Sequence, residues 1–268
     1  MRRVLKAKSA YSNTDVQRVW ESITDYVTEE EAAQAVEDAA AETRHVLNGR
    51  TDDAVYGWSA GKDSIALEVV MERAGVRRAL LGTLPHLEFT AYMAWIAEHQ
   101  PDGLTHLGNT AITPAWLAKP QNDRYLFPTN STDGYRWTML GTRWAQHRYQ
   151  EEHKPRLQIY GRRTADGNSI PATEYGIHTT RRLTSYCPIR TWSHEMVLAV
   201  IHYNRRPLPP TYSWPNGWKT GTGSWPGRRV GTRDESFAET YAIEPGLLHT
   251  AAPDLPAAAA WLRSRGYA

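Results

Sequence analysis

The sequence predicts an α/β domain on a mainly parallel sheet. Two observations carry this. From residue 54 onward, short apolar strand-like runs alternate with helical stretches, the rhythm of strands joined by crossover helices. The chain has 268 residues, 41% of them apolar, enough for one full core without staples. Its single cysteine excludes a disulfide within the chain, four-cysteine zinc sites and cysteine-ligated iron-sulfur clusters.

Met1–Ala10 is basic but runs into Tyr11-Ser12-Asn13 without the apolar stretch of a secretory signal. Uninterrupted apolar runs such as Met196–Ile201 are far below the ~20 residues that span a bilayer. A cytoplasmic protein with no membrane partner is the expectation. Residues 14–48 read as a helical preface. Thr14 or Asp15 caps a first segment, Val16–Tyr26, and Thr28 with Glu29, Glu30 and Glu31 opens a second that Asn48-Gly49 ends.

Ala54–Trp58 is strand-like and Ser64–Arg73 is helical, with Gly75 as terminator. Ala79–Gly82 is a second strand, Thr90 opens a helix to about His99, and Leu104–Leu107 is a third strand. Residues 110–155 form a polar, aromatic excursion broken by Pro114, Pro120, Pro128 and Asp133-Gly134, helical over Arg136–His153. Leu157–Tyr160 resumes the sheet and ends in Gly161-Arg162-Arg163. A buried helix follows the Ser193 cap. Trp214–Gly231, with three tryptophans and five glycines, reads as a mobile loop, and the remainder to Ala268 as irregular.

Charge is divided unevenly. Residues 1–119 carry a net −5, residues 120–233 a net +10 and residues 234–268 a net −3. The basic middle also holds Tyr125, Phe127, Tyr135, Trp137, Trp144 and Tyr149, with Trp116 just before it, rings on which bases can stack, so nucleic acid is a candidate partner of residues 120–233. The ten histidines lack metal-site spacing: His147 and His153, or His194 and His202, do not fall at i, i+4.

The most informative segment is Ser59-Ala60-Gly61-Lys62-Asp63-Ser64, placed between a strand and a helix. Small residues let backbone N–H groups turn inward, the helix presents its positive end, and Lys62 adds a full charge: an anion cradle sized for phosphate or pyrophosphate. It is not a Walker A loop, which needs Gly where this chain has Tyr56 and Ser or Thr where it has Asp63. No G-x-G-x-x-G opens the helix either.

These six residues resemble the S-x-G-K-D-S loop of the PP-loop ATP pyrophosphatase (adenine nucleotide alpha hydrolase-like) superfamily. Three further segments, in family order, are similar to its phosphoadenosine phosphosulfate (PAPS) reductase-like branch. They are Leu84–Thr90, which resembles a D-T-G-x-E-F/Y-P segment; Gly161-Arg162-Arg163; and Pro188–Trp192 with Asn204–Tyr212. The resemblance covers roughly residues 53–215 and implies a three-layer α/β/α fold. The domain reading that goes with it is a helical extension over 1–50, a nucleotide-binding domain over 51–212 with 110–155 inserted, and a Gly/Trp-rich loop and tail over 213–268.

The resemblance implies that Ser59, Ala60, Gly61, Lys62, Asp63, Ser64, Glu88 and Gly161 bind ATP with Mg²⁺. It makes Lys62, Arg162 and Arg163 the catalytic candidates, arginine because its planar fork matches phosphate oxygens. The sequence departs from a reductase. There is no C-terminal E-C-G-x-H motif, and Lys219–Gly227 lacks the G-C-x-x-C pair of many relatives. Cys187, before Pro188, reads as a small buried hydrophobe. ATP-dependent adenylation of an unidentified acceptor with release of pyrophosphate is therefore expected. The alternatives are a sulfonucleotide reductase using Cys187 or a partner thiol, and a silent nucleotide- or nucleic-acid-binding module. A homo-oligomer is compatible with all three.

Overall fold

Two helices precede the sheet in the computed structural model, α1 (Asn13–Glu21) and α2 (Glu29–Leu47). Each starts with a capping box, Ser12 with Asp15 and Thr28 with Glu31, which satisfies two orphan donors reciprocally. α1 is shorter than its sequence pattern because Ser22 ends it, and Ile23–Asp25 is a single 3₁₀ turn. α2 stops at Asn48, whose φ of 47° suits asparagine in a left-handed cap. The structure describes residues 4–5, 11–173, 175–180 and 184–267.

The alternation then appears as read: β1 (Ala54–Gly57), α3 (Lys62–Ala74), β2 (Ala79–Thr83), α4 (Thr90–His99) and β3 (Leu104–Gly108). After the short α5 (Pro114–Leu117), the long α6 (Ser131–His153) leads to β4 (Leu157–Ile159). Two strands follow, β5 (His178–Thr179) and β6 (Thr184–Tyr186), and then α7 (His194–Tyr203). The sheet order is β3-β2-β1-β4-β6-β5, parallel at β1/β2, β1/β4 and β4/β6, with β5 antiparallel to β6 at its end. The fold class is α/β with a mainly parallel sheet.

This order makes β1 a switch point. The chain leaves β1 toward β2 and β3 on one side, then returns to place β4 on the other. In open α/β sheets the crevice at the carboxyl ends of two such strands is where ligands bind. The loops that leave β1 and β4 carry Ser59–Ser64 and Gly161–Arg163.

The described residues divide into two units. The first comprises residues up to 81, 99–105 and 150–209, and the second comprises 82–98, 106–149 and the chain from 210. In the first, α3 packs on both α2 and α7. Leu67, Val70 and Met71 of α3 and Val197–Ile201 of α7 are fully buried, each large side chain contributing roughly 1.5–3 kcal/mol of hydrophobic stabilisation. Trp58 links the end of β1 to this core: its backbone N–H donates to Leu80 O at 2.9 Å and its indole N–H to buried Glu68 Oε2 at 2.6 Å.

In the second unit, three expectations are corrected. Trp214–Gly231 is not a mobile loop: it holds α8 (Gly217–Thr220) and a 3₁₀ turn at Trp225–Gly227, with Trp218 and Trp225 buried. Buried Arg228 pins it, pairing with Glu239 at 2.9 Å, donating to Gly221 O and Pro215 O, and lying over the rings of Phe89 and Trp214. The C-terminal region is not irregular either. It forms α9 (Arg233–Ile243), α10 (Pro245–Ala251) and α11 (Pro256–Ser264), the first opened by a Thr232/Glu235 capping box and the others by proline at the helix start. The inserted aromatic residues are mostly core: Tyr125, Phe127, Trp137 and Tyr149 are buried, Trp116 stacks on Tyr125, and Tyr135 is the ring that stays exposed.

Trp58→Phe strands the Glu68 carboxylate without its indole donor. It should lower unfolding free energy by about 1–3 kcal/mol in urea titrations. An unchanged midpoint would mean that this hydrogen bond contributes nothing.

Candidate functional site

The loop between β1 and α3 is held open by its own chemistry. Ala60 has a φ of 52°, a left-handed conformation that costs a residue with a Cβ of order 1–3 kcal/mol and persists where the surroundings over-determine it. The Ser64 hydroxyl staples the turn, accepting from Ser59 N–H at 3.0 Å and donating to Gly61 O at 2.9 Å. Ser64 is thus a brace inside the loop, whereas Ser59 is exposed. Gly61 is the N-cap of α3 and supplies no side-chain acceptor, so the first-turn N–H groups and the dipole of this 13-residue helix face the loop.

Gly161, after β4, lies against this turn. A Cβ there would come within 2.9 Å of Asp63 O, so glycine is what allows the two loops to touch. The two arginines beside it have different surroundings. Arg162 is exposed, its guanidinium 4.5 Å from the centroid of the Tyr160 ring. Arg163 is fully buried and spends its donors on the protein: Nε and Nη2 on Asp63 Oδ1 at 2.7 and 2.6 Å, Nη2 on Asp166 Oδ2 at 2.9 Å, and Nη1 on Trp192 O at 3.0 Å.

Lys62 is 4% exposed, and its ammonium rests on Asp63 Oδ2 at 2.6 Å, with Asp166 Oδ1 at 3.9 Å. Two cations and two carboxylates therefore balance at the start of α3. Burial alone would raise the Asp63 carboxyl, but the charges of Lys62 and Arg163 outweigh it and hold that group well below the usual carboxylate range.

Residues that the sequence did not select complete the cluster. His194, the first residue of α7, faces Arg163 Nη2 through Nδ1 at 3.3 Å and Ala165 O through Nε2 at 3.2 Å. A guanidinium only donates and a carbonyl only accepts, so the fitting state is the neutral ring protonated on Nε2. Burial, with the charges of Arg163 and Lys62, pushes its pKa down to about 4. Tyr11, 4% exposed, packs edge-on against the His194 ring at 5.0 Å between centroids. Beside it, buried Glu195 accepts from the backbone N–H groups of Val4 and Leu5 at 2.7 and 2.6 Å. Among polar atoms sealed from solvent, Tyr11 Oη and Asp166 Oδ1 have no hydrogen-bond partner.

Cys187 follows β6 and is buried, and that burial pushes its thiol pKa up, against the charge of Arg162. Glu88 belongs to the second unit. Its Oε1 accepts from Leu84 N–H at 2.9 Å, closing the turn before α4, and burial raises the carboxyl to about 7. A magnesium ion prefers several oxygen ligands. Asp63 has both oxygens engaged and Asp166 has one free of hydrogen bonds, so these carboxylates do not fit a magnesium site of their own. Among the described residues, no three His, Cys, Asp or Glu side chains are grouped to hold a metal. No described helix is long and apolar enough to cross a membrane.

No protein-family model and no curated protein sequence matches the chain. Among solved structures it is similar to phosphoadenylyl-sulfate (PAPS) reductase from Candida auris in a phosphate complex. The two are 12% identical, the match covers 76% of this chain and 98% of that one, and the TM-score is 0.49.

Two outcomes are expected. Gly161→Ala forces the β4 loop off Asp63 O and should cost about 1–3 kcal/mol in urea unfolding; wild-type stability would mean that the contact is loose. The second concerns pH. An unfolded histidine takes up its proton near pH 6.5, whereas folded His194 does so near 4, so the unfolded chain binds more protons in between. The contribution is full above pH 6.5 and is lost as pH falls to 4, roughly 3 kcal/mol at most. His194→Gln keeps one donor and one acceptor but does not titrate. Unfolding at pH 7 and pH 4.5 should therefore show the wild type losing more stability than the variant, and equal losses would refute the neutral assignment.

Proposed function

We propose that the chain is a PAPS reductase-like PP-loop enzyme that binds ATP at the β1 loop and activates an acceptor by adenylation, releasing pyrophosphate. The observation that supports it best is positional. The two segments selected from sequence, Ser59–Ser64 and Gly161–Arg163, leave adjacent parallel strands at the switch point of the sheet and touch through Gly161.

The geometry supports a role for each residue in this reading. The N–H groups at the start of α3 are uncharged donors already aimed at the loop, suited to phosphate oxygens. Lys62 has a compact ammonium on a flexible stem and can exchange Asp63 for a phosphate oxygen, while exposed Arg162 supplies a fork at the rim. Arg163 is a positioning residue that holds Asp63 and Asp166. In the reaction, the acceptor nucleophile bonds to the α-phosphorus, the bond from that phosphorus to the bridging oxygen breaks, pyrophosphate leaves, and the nucleophile's proton passes to water. Magnesium would arrive on the triphosphate oxygens.

Thiol chemistry has less support, since a buried cysteine with a raised pKa is a poor nucleophile at neutral pH. Equilibrium dialysis with ATP and magnesium tests the site: Lys62→Ala should weaken binding at least tenfold. Cys187→Ser should release pyrophosphate from ATP as the wild type does when acceptors are screened. Wild-type ATP affinity in Lys62→Ala would remove the loop from the site, and loss of turnover in Cys187→Ser would restore the sulfonucleotide reading.

A further inference from the structure

Among the buried polar atoms of the first unit that lack a hydrogen-bond partner, two belong to residues that lie against His194 beside the β1 loop, and they differ in what they need. Tyr11 Oη carries a proton with no acceptor, and Asp166 Oδ1 is an acceptor with no donor in hydrogen-bond range. Both border His194: the Tyr11 ring packs against it at 5.0 Å, and Asp166 Oδ1 lies 3.8 Å from its Nδ1. The Asp166 and Asp63 carboxylates and the Arg163 guanidinium all act on the Tyr11 hydroxyl. Leaving such atoms buried and unpaired is costly, and the cost is recovered when a ligand supplies the missing partner.

We infer that Tyr11 and Asp166 together hold one uncharged group of the ligand, a hydroxyl or an amine that accepts from Tyr11 and donates to Asp166. This rests on the adenylation reading of the site. A phosphate oxygen does not fit here. Lys62 and Arg163 are already matched by Asp63 and Asp166, so an added anion would face Asp166 Oδ1 with no spare charge to offset it. A hydroxyl or amine satisfies both atoms without adding charge. Both are sealed from solvent, so the group reaches them when Tyr11 shifts. Tyr11 precedes α1 and is not held in a helical ladder.

Two sources share this chemistry, a ribose hydroxyl of the nucleotide and the nucleophile of the acceptor, and Tyr11→Phe tells them apart. The variant keeps the ring on His194 and removes only the unpaired hydroxyl, so the unliganded protein should melt at or above the wild-type temperature. For a ribose hydroxyl, wild-type protein should bind ATP at least tenfold tighter than 2′-deoxy-ATP or 3′-deoxy-ATP, and Tyr11→Phe should bind all three alike. For the acceptor, nucleotides should not be distinguished. Hydroxylamine would then drive pyrophosphate release in the wild type, its nitrogen or oxygen bonding to the α-phosphorus as pyrophosphate leaves and its proton passes to water. At saturating ATP that release should fall at least tenfold in Tyr11→Phe and in Asp166→Asn. If the wild type shows neither discrimination nor hydroxylamine-dependent release, or Tyr11→Phe alters neither, the inference is overturned. Lys62→Ala run in parallel separates the two failures, because retained ATP affinity there sinks the loop reading itself.

Discussion

The buried Arg163 guanidinium is the interaction on which the site depends. It joins three stretches distant in sequence: Asp63 in the first turn of α3, Asp166 in the turn after β4, and the Trp192 carbonyl just before α7. A fully buried cation is tolerable only with its donors satisfied, and removing one partner of such a pair typically costs 3–5 kcal/mol. The cluster therefore sets where α3 begins relative to β4 and α7. That in turn sets the direction of the loop N–H groups. Ala60 can sit at positive φ because both ends of its loop are fixed, one by Trp58 on β2 and the other by Asp63 on Arg163.

Much of the fold could be read from residues 54–108, where each strand carries its own apolar run and each helix its own terminators. The strand β6 could not. Thr184-Ser185-Tyr186 has no apolar run, and it is a strand because β4 offers it a parallel edge, a tertiary cause that no local pattern records. The C-terminal helices were hidden for a related reason. Pro245 and Pro256 look like breaks but stand at helix starts, where a missing N–H costs nothing. Glycine-rich Trp214–Gly231 misled through composition, because Arg228 and its partner Glu239 do the ordering from within.

The site was legible in part. Loop and Gly-Arg-Arg segment are each contiguous, and strand order brings them together. Tyr11 and His194 carried no signal, because their roles come from meeting residues far away in the chain, as Arg163 and Asp63 meet across 100 positions. Asp166, three residues after Arg163, was the nearest to a local clue. The two arginines also show what spacing leaves out. Adjacent side chains leave an extended segment on opposite sides, so one of the pair is wholly buried while its neighbour is exposed.

Charge balance distinguishes the two loop cations in a way that their chemical type would not. Arg163 has its guanidinium held by two carboxylates and a carbonyl, so moving it breaks several charge-assisted bonds at once. Lys62 meets its sequence neighbour Asp63 closely and Asp166 at longer range, from the end of four flexible methylenes. If Lys62 turns to an arriving anion, Asp63 still keeps Arg163, and no carboxylate is left buried without a cation. Of the two cations, Lys62 is the one that can change partners, and Arg163 is what makes that exchange affordable.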